Sequence, residues 1–217
     1  MKKALLAAVL LTVAAAGAAL GATVTYREET DGGKTLTIPV VHGVNRTAND
    51  LINAALADMA AAEIEALTGG EEAEELLVQG KAELLEGRLL SFSFDCMVYF
   101  KGAAHPSSDR LGATFDALTG RQISLAELFR PGTDWKDELN ARIARVIDGQ
   151  VAAEELMVFD DNYPDLSEYA DQFYLRRGEL VFFWTDTQFT PHASGQPEFV
   201  ALKAEVEHLL RPEYSGW

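Results

Sequence analysis

Residues 89–100, with the sequence LLSFSFDCMVYF, are the stretch that most limits what this chain can fold into. Aromatic and apolar residues in such a run are typical of a β-strand, because they pack well on a pleated surface. After a loop, Leu111–Ala117 is a second extended stretch, and we predict that it pairs antiparallel with the first. The fold therefore contains a sheet with a long aromatic strand.

The first part of the chain carries one hairpin pattern and one helix pattern. Extended stretches at 23–30 and 35–41, separated by a glycine-containing turn, predict a β-hairpin. Apolar residues then recur at helical spacing from Asn49 to the stop signal Gly69-Gly70. We interpret the acidic run 71–75 as the solvated start of a further helix.

The second half also mixes strands and helices without regular alternation. Ser124 and Glu127 have the spacing of a capping box, and Asp134–Ile147 is amphipathic with helical periodicity. The remaining predicted elements are strands at 173–176, 179–185 and 198–202 and a terminal helix at 203–210. This order predicts an α+β fold of antiparallel sheet with helices packed on one side. We expect one domain over 23–217, with a division into lobes 23–85 and 86–217 left open.

The N-terminus has the pattern of a secretory signal peptide. Two lysines are followed by the apolar run Ala4–Leu20 and then by small residues. We predict that residues 1–22 form a leader and that the protein is secreted, or lies in the periplasm or cell envelope. An uncleaved membrane anchor is the alternative, since the run approaches the length of a bilayer span. After cleavage no membrane insertion is expected.

The charge balance excludes some classes of partner. Eighteen Lys and Arg residues stand against 34 Asp and Glu residues, giving a formal net charge of −16. Such a chain repels phosphate backbones, and no basic patch offsets this, so we expect no nucleic-acid binding. The acidity favours a cationic partner, although it also serves solubility. The lone cysteine, Cys96, lies among apolar residues and is expected to be buried.

Two histidines stand out by their surroundings. His105 follows Gly-Ala-Ala and precedes a proline, and His192 lies in Pro-His-Ala-Ser-Gly, so we expect both at one end of the same sheet. Neither metal-ligand spacing nor a nucleophile motif accompanies them, and we assign no catalytic residue, metal or cofactor. The alternative is a hydrolase or metal-dependent enzyme that uses both histidines with Asp109 or Asp186. It requires these side chains to converge in one pocket.

Aromatic residues complete the set of candidate binding residues. The aromatic strands hold more rings than a one-faced sheet hides by alternation, and rings left exposed would suit a sugar or a protein partner. The candidate binding residues are His105, Pro106, Pro191, His192, Tyr99 and Trp184.

Several short segments occur in an order and spacing that resembles a known family. They are Ile38–Val41, Leu51–Asn53, Leu90–Phe92, Gly102–Pro106, Phe115–Arg121, Leu125–Phe129, Phe173–Leu175, Leu180–Trp184 and Pro191–Gly195. Over about residues 24–210 they resemble the extracellular domain of unknown function shared by the lysozyme-sensing anti-sigma factor RsiV and PdaC-type peptidoglycan deacetylases.

The resemblance implies an envelope or secreted α+β domain that binds a ligand, which in RsiV is lysozyme. We see neither a sigma-binding segment nor a deacetylase domain in this sequence, so we transfer neither activity. We predict an exported, non-catalytic binding module whose partner is a cationic, lysozyme-like protein or a cell-wall component. An envelope enzyme and a purely structural domain are the alternatives.

Overall fold

The computed structural model describes residues 10–13, 21–43, 45–159, 165–185 and 189–217. These residues form a six-stranded sheet, a three-stranded sheet and several helices, which confirms the predicted α+β fold. The rest of the predicted leader, at 1–9 and 14–20, lies outside the described residues. Within the described ranges, no helix is both long enough and apolar enough to cross a bilayer.

The larger sheet has its strands in chain order. They are β1 (Leu10–Val13), β2 (Thr23–Asp31), β3 (Lys34–His42), β4 (Glu75–Glu86), β5 (Leu89–Tyr99) and β6 (Ser107–Asp116). All neighbours pair antiparallel except β3 and β4, which are parallel because a helix connects them. The predicted hairpin and aromatic strand are confirmed. The antiparallel partner of the aromatic strand begins at Ser107, earlier than predicted.

The connecting helix α1 (Arg46–Thr68) lies on one face of this sheet. The side chain of Asn45 accepts a hydrogen bond from the Ala48 N–H at 2.8 Å and so caps the first turn. Gly69 ends the helix in the left-handed conformation, with φ of 57°. The buried stripe of α1 includes Ile52 and Leu56, which pack with the α1-facing side chains of β5.

Strand β4 corrects the sequence interpretation of the acidic run. Residues 71–74 are irregular and a strand, not a helix, begins at Glu75. Leu76 and Val78 are buried on one face while their neighbours Leu77 and Gln79 are more exposed. Pairing with strands on both sides outweighs the helix propensity of the Glu, Leu and Ala residues. The lobe boundary considered near residue 85 falls in β4, which pairs with β5 across that position.

The smaller sheet is antiparallel throughout. It contains β7 (Phe173–Arg176), β8 (Glu179–Phe183) and β9 (Glu198–Leu202). Among the residues that the structure describes, four α-helices accompany it: α2 (Leu125–Leu128), α3 (Trp135–Ala152), α4 (Leu166–Tyr169) and α5 (Lys203–Val206). Helix α3 packs against β9 through an apolar stripe, as its periodicity predicted. The predicted capping box is present, since Ser124 donates from its backbone N–H to Glu127 at 2.9 Å.

The two sheets meet where β7 crosses the face of the larger sheet opposite to α1. This face is lined by small and polar side chains, including Ser91, whose hydroxyl accepts from the Leu175 N–H at 2.9 Å. At Gly112 the two backbones approach so closely that a Cβ atom would overlap the Phe173 carbonyl. The position of the second sheet therefore depends on the absence of a side chain at this residue.

A buried carboxylate fixes the end of β6. Asp116 is 1% exposed and accepts hydrogen bonds from Arg88 at 2.6 Å and from the Tyr214 hydroxyl at 3.0 Å. It also accepts from the backbone N–H groups of Leu118 and Thr119. Burial acts to raise the pKa of Asp116, but these donors outweigh burial and hold that pKa below its ordinary value of 3.8. Ionised Asp116 thus joins β6, its following turn and the C-terminal segment.

We predict that Gly112→Ala lowers the free energy of unfolding by about 1–3 kcal/mol, because the added methyl group must push the sheets apart. Gly149→Ala is the matched control, since Gly149 lies in α3 with open space around its Cα. The control is expected to raise stability by about 0.5–1 kcal/mol. Urea unfolding of both variants measures the difference, and equal effects would contradict the close approach of the sheets.

We predict that Asp116→Asn lowers the free energy of unfolding by about 2 kcal/mol at neutral pH, because Arg88 loses its charged acceptor. Since the folded pKa is depressed, this stabilisation is present above about pH 4 and is lost as the pH falls further. Asp148→Asn, at an exposed position of α3, controls for the loss of one charge. Chemical unfolding across pH tests this, and a difference that persists unchanged in acid would contradict it.

Candidate functional site

Two loops bring the predicted histidines together. His105 lies in the β5–β6 loop at 100–106, and His192 begins a short 3-10 turn, His192–Ser194, before β9. Their imidazole rings are 4.3 Å apart between centroids, with an angle of 34° between ring planes. Both side chains are exposed. The two loops therefore meet, but they belong to different sheets, since the His105 loop joins β5 to β6 and the His192 loop precedes β9 of the smaller sheet. The expectation that both lie at one end of the same sheet is wrong, because the chain forms two sheets that pack face to face.

The β5–β6 loop also holds Tyr99 and Pro106. The Tyr99 hydroxyl donates to the Ala103 carbonyl at 3.3 Å, so this half-buried ring supports the base of the loop. Nδ1 of His105 lies 3.2 Å from the Pro106 carbonyl oxygen, which can only accept, so the Nδ1–H tautomer satisfies this contact. The opposite ring atom, Nε2, then carries the lone pair.

The loops meet because β6 and the segment before β9 are bonded to each other. In the amide orientation that satisfies both groups, the Gln196 side-chain carbonyl accepts from the backbone N–H of Asp109 at 3.1 Å and of Arg110 at 3.3 Å. The Arg110 guanidinium then bridges Asp95 and Glu198, with a distance of 2.7 Å to each carboxylate. We call this group, Asp109 and Arg110 with Gln196 and Glu198, the junction.

Trp184 does not belong to the exposed site. Its side chain is 0% exposed, and its ring packs against Phe199 at 4.6 Å and Phe189 at 4.9 Å between centroids. The sequence-based assignment of Trp184 as a candidate binding residue therefore does not match its position. It contributes to the core between the smaller sheet and α3.

The structure adds two exposed apolar residues that sequence reasoning missed. In the segment 156–159, Leu156 and Val158 point into the core, whereas Met157 and Phe159 are 67% and 64% exposed. The Met157 carbonyl accepts from the Ser194 hydroxyl at 3.4 Å, so this segment lies beside the His192 loop. The sequence signal was the unbroken apolar run Leu-Met-Val-Phe inside an acidic stretch.

A groove separates this segment from the His192 loop. Its lining residues are Val151, Glu154, Glu155, Leu156, Met157, Val158, Pro191, Ala193 and Ser194. The apolar floor is thus bordered by two carboxylates that follow the end of α3. Glu154 adopts a left-handed conformation, with φ of 58°, which is uncommon for a residue with a side chain and turns the chain into the groove wall.

We use the name loop surface for His105, Pro106, Pro191 and His192 together with Met157 and Phe159. It offers imidazole rings, proline rings and apolar anchors within an acidic setting. Among the described residues, no group of three or more His, Cys, Asp or Glu side chains is placed to hold a metal ion. The carboxylate of Asp109 accepts a hydrogen bond from the Arg110 N–H at 2.7 Å, and Asp186 lies outside the described residues.

Comparisons with known proteins support the fold. Residues 126–200 match a family described as a protein of unknown function, DUF3298. A crystal structure of a DUF3298 family member from Bacteroides fragilis is 15% identical, with a TM-score of 0.60, over 96% of this chain and 94% of that one. A DUF3298 family protein from Pseudomonas aeruginosa is 12% identical, with a TM-score of 0.60, over 91% and 97%. No curated protein matches significantly. This chain thus shares the fold of DUF3298 family structures.

Proposed function

We propose that this protein is an exported, non-catalytic binding module of the bacterial envelope whose loop surface recognises a cationic protein of the lysozyme class. The observation that carries the proposal is the convergence of the His105 and His192 loops beside exposed Met157 and Phe159. Large apolar side chains in water are the usual anchors of a protein interface. The resemblance to the RsiV and PdaC domain makes lysozyme the first partner to test.

Charge supports a cationic partner. The net charge of −16 becomes −18 when Lys2 and Lys3 are lost with the predicted leader. A negative surface attracts a cationic protein over the Debye length, which accelerates association at low salt. Glu154 and Glu155 place part of this charge at the groove itself. Met157 and Phe159 then supply apolar contact area, and the carboxylates of Glu154 and Glu155 orient the cationic partner on the loop surface.

Export rests on the leader pattern of residues 1–22. Strand β1 falls inside this predicted leader and pairs with β2 from Leu10 opposite Arg27 to Val13 opposite Val24. Cleavage after Gly21 or Ala22 would remove β1 and leave β2 as the edge of the sheet. The loop surface belongs to the other part of the chain and would remain.

We predict that hen egg-white lysozyme binds the protein in titration calorimetry, and that the affinity falls as salt rises from about 0.01 to about 0.15 M, where the Debye length shrinks from about 30 to about 8 Å. The variant carrying Met157→Ser and Phe159→Ser is expected to bind lysozyme at least about tenfold more weakly than the native protein, because it removes the apolar anchors. Leu118→Ser is the control, since Leu118 is 49% exposed but follows the opposite end of β6.

Absence of lysozyme binding even at low salt would contradict the proposal that the partner is a lysozyme-class protein. Cosedimentation with purified peptidoglycan would then favour a cell-wall component, with the same variants reporting whether the loop surface is used. Equal losses of affinity in the Leu118→Ser control and in the variant carrying Met157→Ser and Phe159→Ser would show that the contact is not localised at the loop surface.

We predict that His105→Ala and His192→Ala each weaken lysozyme binding by about tenfold while changing the free energy of unfolding by less than about 0.5 kcal/mol, because both rings are exposed. His208→Ala serves as the control, since this exposed histidine pairs with Glu138 on α3. Calorimetry and thermal unfolding measure the two effects. A histidine that serves only folding would show the reverse, with lost stability and unchanged affinity.

The His105–His192 contact also favours one alternative, an envelope hydrolase or metal-dependent enzyme. The Nδ1–H···O contact of His105 resembles the support that metal-ligating histidines receive from a carbonyl group. This alternative needs turnover or stoichiometric zinc binding that both His→Ala variants abolish. The recognition proposal instead needs lysozyme affinity that is unchanged by a chelator.

A further inference from the structure

The end of α3 carries a regular cap that is built from unusual residues. The Glu155 N–H donates to the Gln150 carbonyl at 2.9 Å, and the Glu154 N–H donates to the Val151 carbonyl at 3.1 Å. With Ala153 as the C-cap, these two bonds are those of a Schellman motif. The first residue after the cap in this motif is usually glycine, and the second is frequently apolar. Both positions hold glutamate in this chain.

These two glutamates are unfavourable for the stability of the cap. Glu154 has φ of 58°, where a Cβ atom is crowded and where glycine lies freely. A helix C-terminus carries partial negative charge, which repels nearby carboxylates, and the last turn of α3 contains no basic residue. Neither Glu154 nor Glu155 forms a salt bridge with a Lys, Arg or His of the described ranges. The cap therefore presents two exposed carboxylates in an already negative setting.

The same glutamates border the apolar groove between segment 156–159 and the His192 loop. Val151 and Met157 line the groove on the α3 side, and Pro191 and Ala193 line it on the side of the His192 loop. Long basic side chains place their aliphatic stems on apolar surface and keep the charged end at its border. The groove is thus complementary in shape and charge to a side chain with an apolar stem and a positive end.

Arginine fits these surroundings better than lysine. Its guanidinium group is flat and more weakly hydrated than an ammonium group, so it loses less hydration when it enters an apolar groove. It also carries five N–H donors in a fixed fork, which allows it to bind neighbouring carboxylates at the same time. A lysine ammonium is a compact and strongly hydrated charge, and it lacks this planar match to a carboxylate.

We infer that the groove at the end of α3 binds an arginine side chain of the partner protein, with Glu154 and Glu155 as the acceptors of its guanidinium group. The source of the arginine, an exposed loop of a cationic protein, rests on the proposed function. The groove itself is testable without that partner. The unfavourable cap then has a physical reason, because the repulsion between its carboxylates and the helix end is relieved when a guanidinium group binds.

Short peptides test the groove in the absence of lysozyme. We expect acetyl-Ala-Arg-Ala-amide to shift the methyl resonances of Val151, Met157 and Val158, which line the groove, when it is titrated into the protein. The peptide with citrulline in place of arginine has the same shape without the charge, and it should bind at least about tenfold more weakly. The peptide with lysine should also bind more weakly than the arginine peptide.

Variants of the cap test the role of the two carboxylates. Glu154→Gln combined with Glu155→Gln should bind the arginine peptide about tenfold more weakly, because the amides keep the shape and lose the charge. The matched control is Asp58→Asn combined with Glu65→Gln. It removes two exposed carboxylates from α1, which lies on the other face of the larger sheet, and it should bind like the native protein.

Glu154→Gly separates the binding role from the capping role. Glycine relieves the left-handed conformation, so the melting temperature should rise by about 2–4 °C while peptide binding weakens. A glutamate that serves only the end of the helix would give unchanged peptide binding in this variant, which would contradict the inference.

Lysozyme affinity separates the groove from its proposed partner. Equal methyl shifts with the arginine and citrulline peptides, or undiminished shifts in the Glu154→Gln and Glu155→Gln variant, would overturn the inference even if lysozyme binds. Peptide binding in the groove without lysozyme binding would support the groove and reject the lysozyme class as the partner. If both bind, we expect the arginine peptide to lower the apparent lysozyme affinity, and an unchanged affinity would overturn the assignment of the groove to an arginine of that partner.

Discussion

The close contact between the two sheets fixes where every other part of the molecule lies. At Gly112 the Phe173 carbonyl occupies the place of a side chain, and Ser91 supplies a hydroxyl to the same strand β7. Small side chains on this face let the smaller sheet approach, while phenylalanines on the opposite face of β5 pack beneath α1. The Ser-Phe-Ser-Phe sequence of β5 thus serves two different layers, because successive side chains of a strand point to opposite faces.

The loop surface is a consequence of that arrangement. Once β7 to β9 lie across β4 to β6, the segment before β9 passes the start of β6, and the junction ties the two together through Arg110 and Gln196. Residues far apart in sequence, His105 and His192, then share one face without either contributing to a core. Buried strands thus fix the positions of these exposed side chains.

The sequence predicted elements that local chemistry specifies. The helix predicted from Asn49, the aromatic strand and the Ser124–Glu127 capping box each have a signal within a few residues. The helix begins three residues earlier, at Arg46, because Asn45 caps its first turn. Strand β4 was missed because its helix-forming residues become a strand only through pairing with β3 and β5, which lie elsewhere in the chain. The burial of Trp184 and the exposure of Met157 were equally invisible, because both depend on which face of a segment meets the core.

The buried position of Cys96 determines when its thiol can be oxidised. The thiol is buried under α1, and burial raises its pKa to about 12, so oxidants meet neither the sulfur nor its reactive thiolate in the native chain. An unfolded chain has no such shield. In an oxidising compartment, disulfide-linked dimers would therefore form from unfolded or incompletely folded chains. Their amount would measure the fraction of chains that failed to fold.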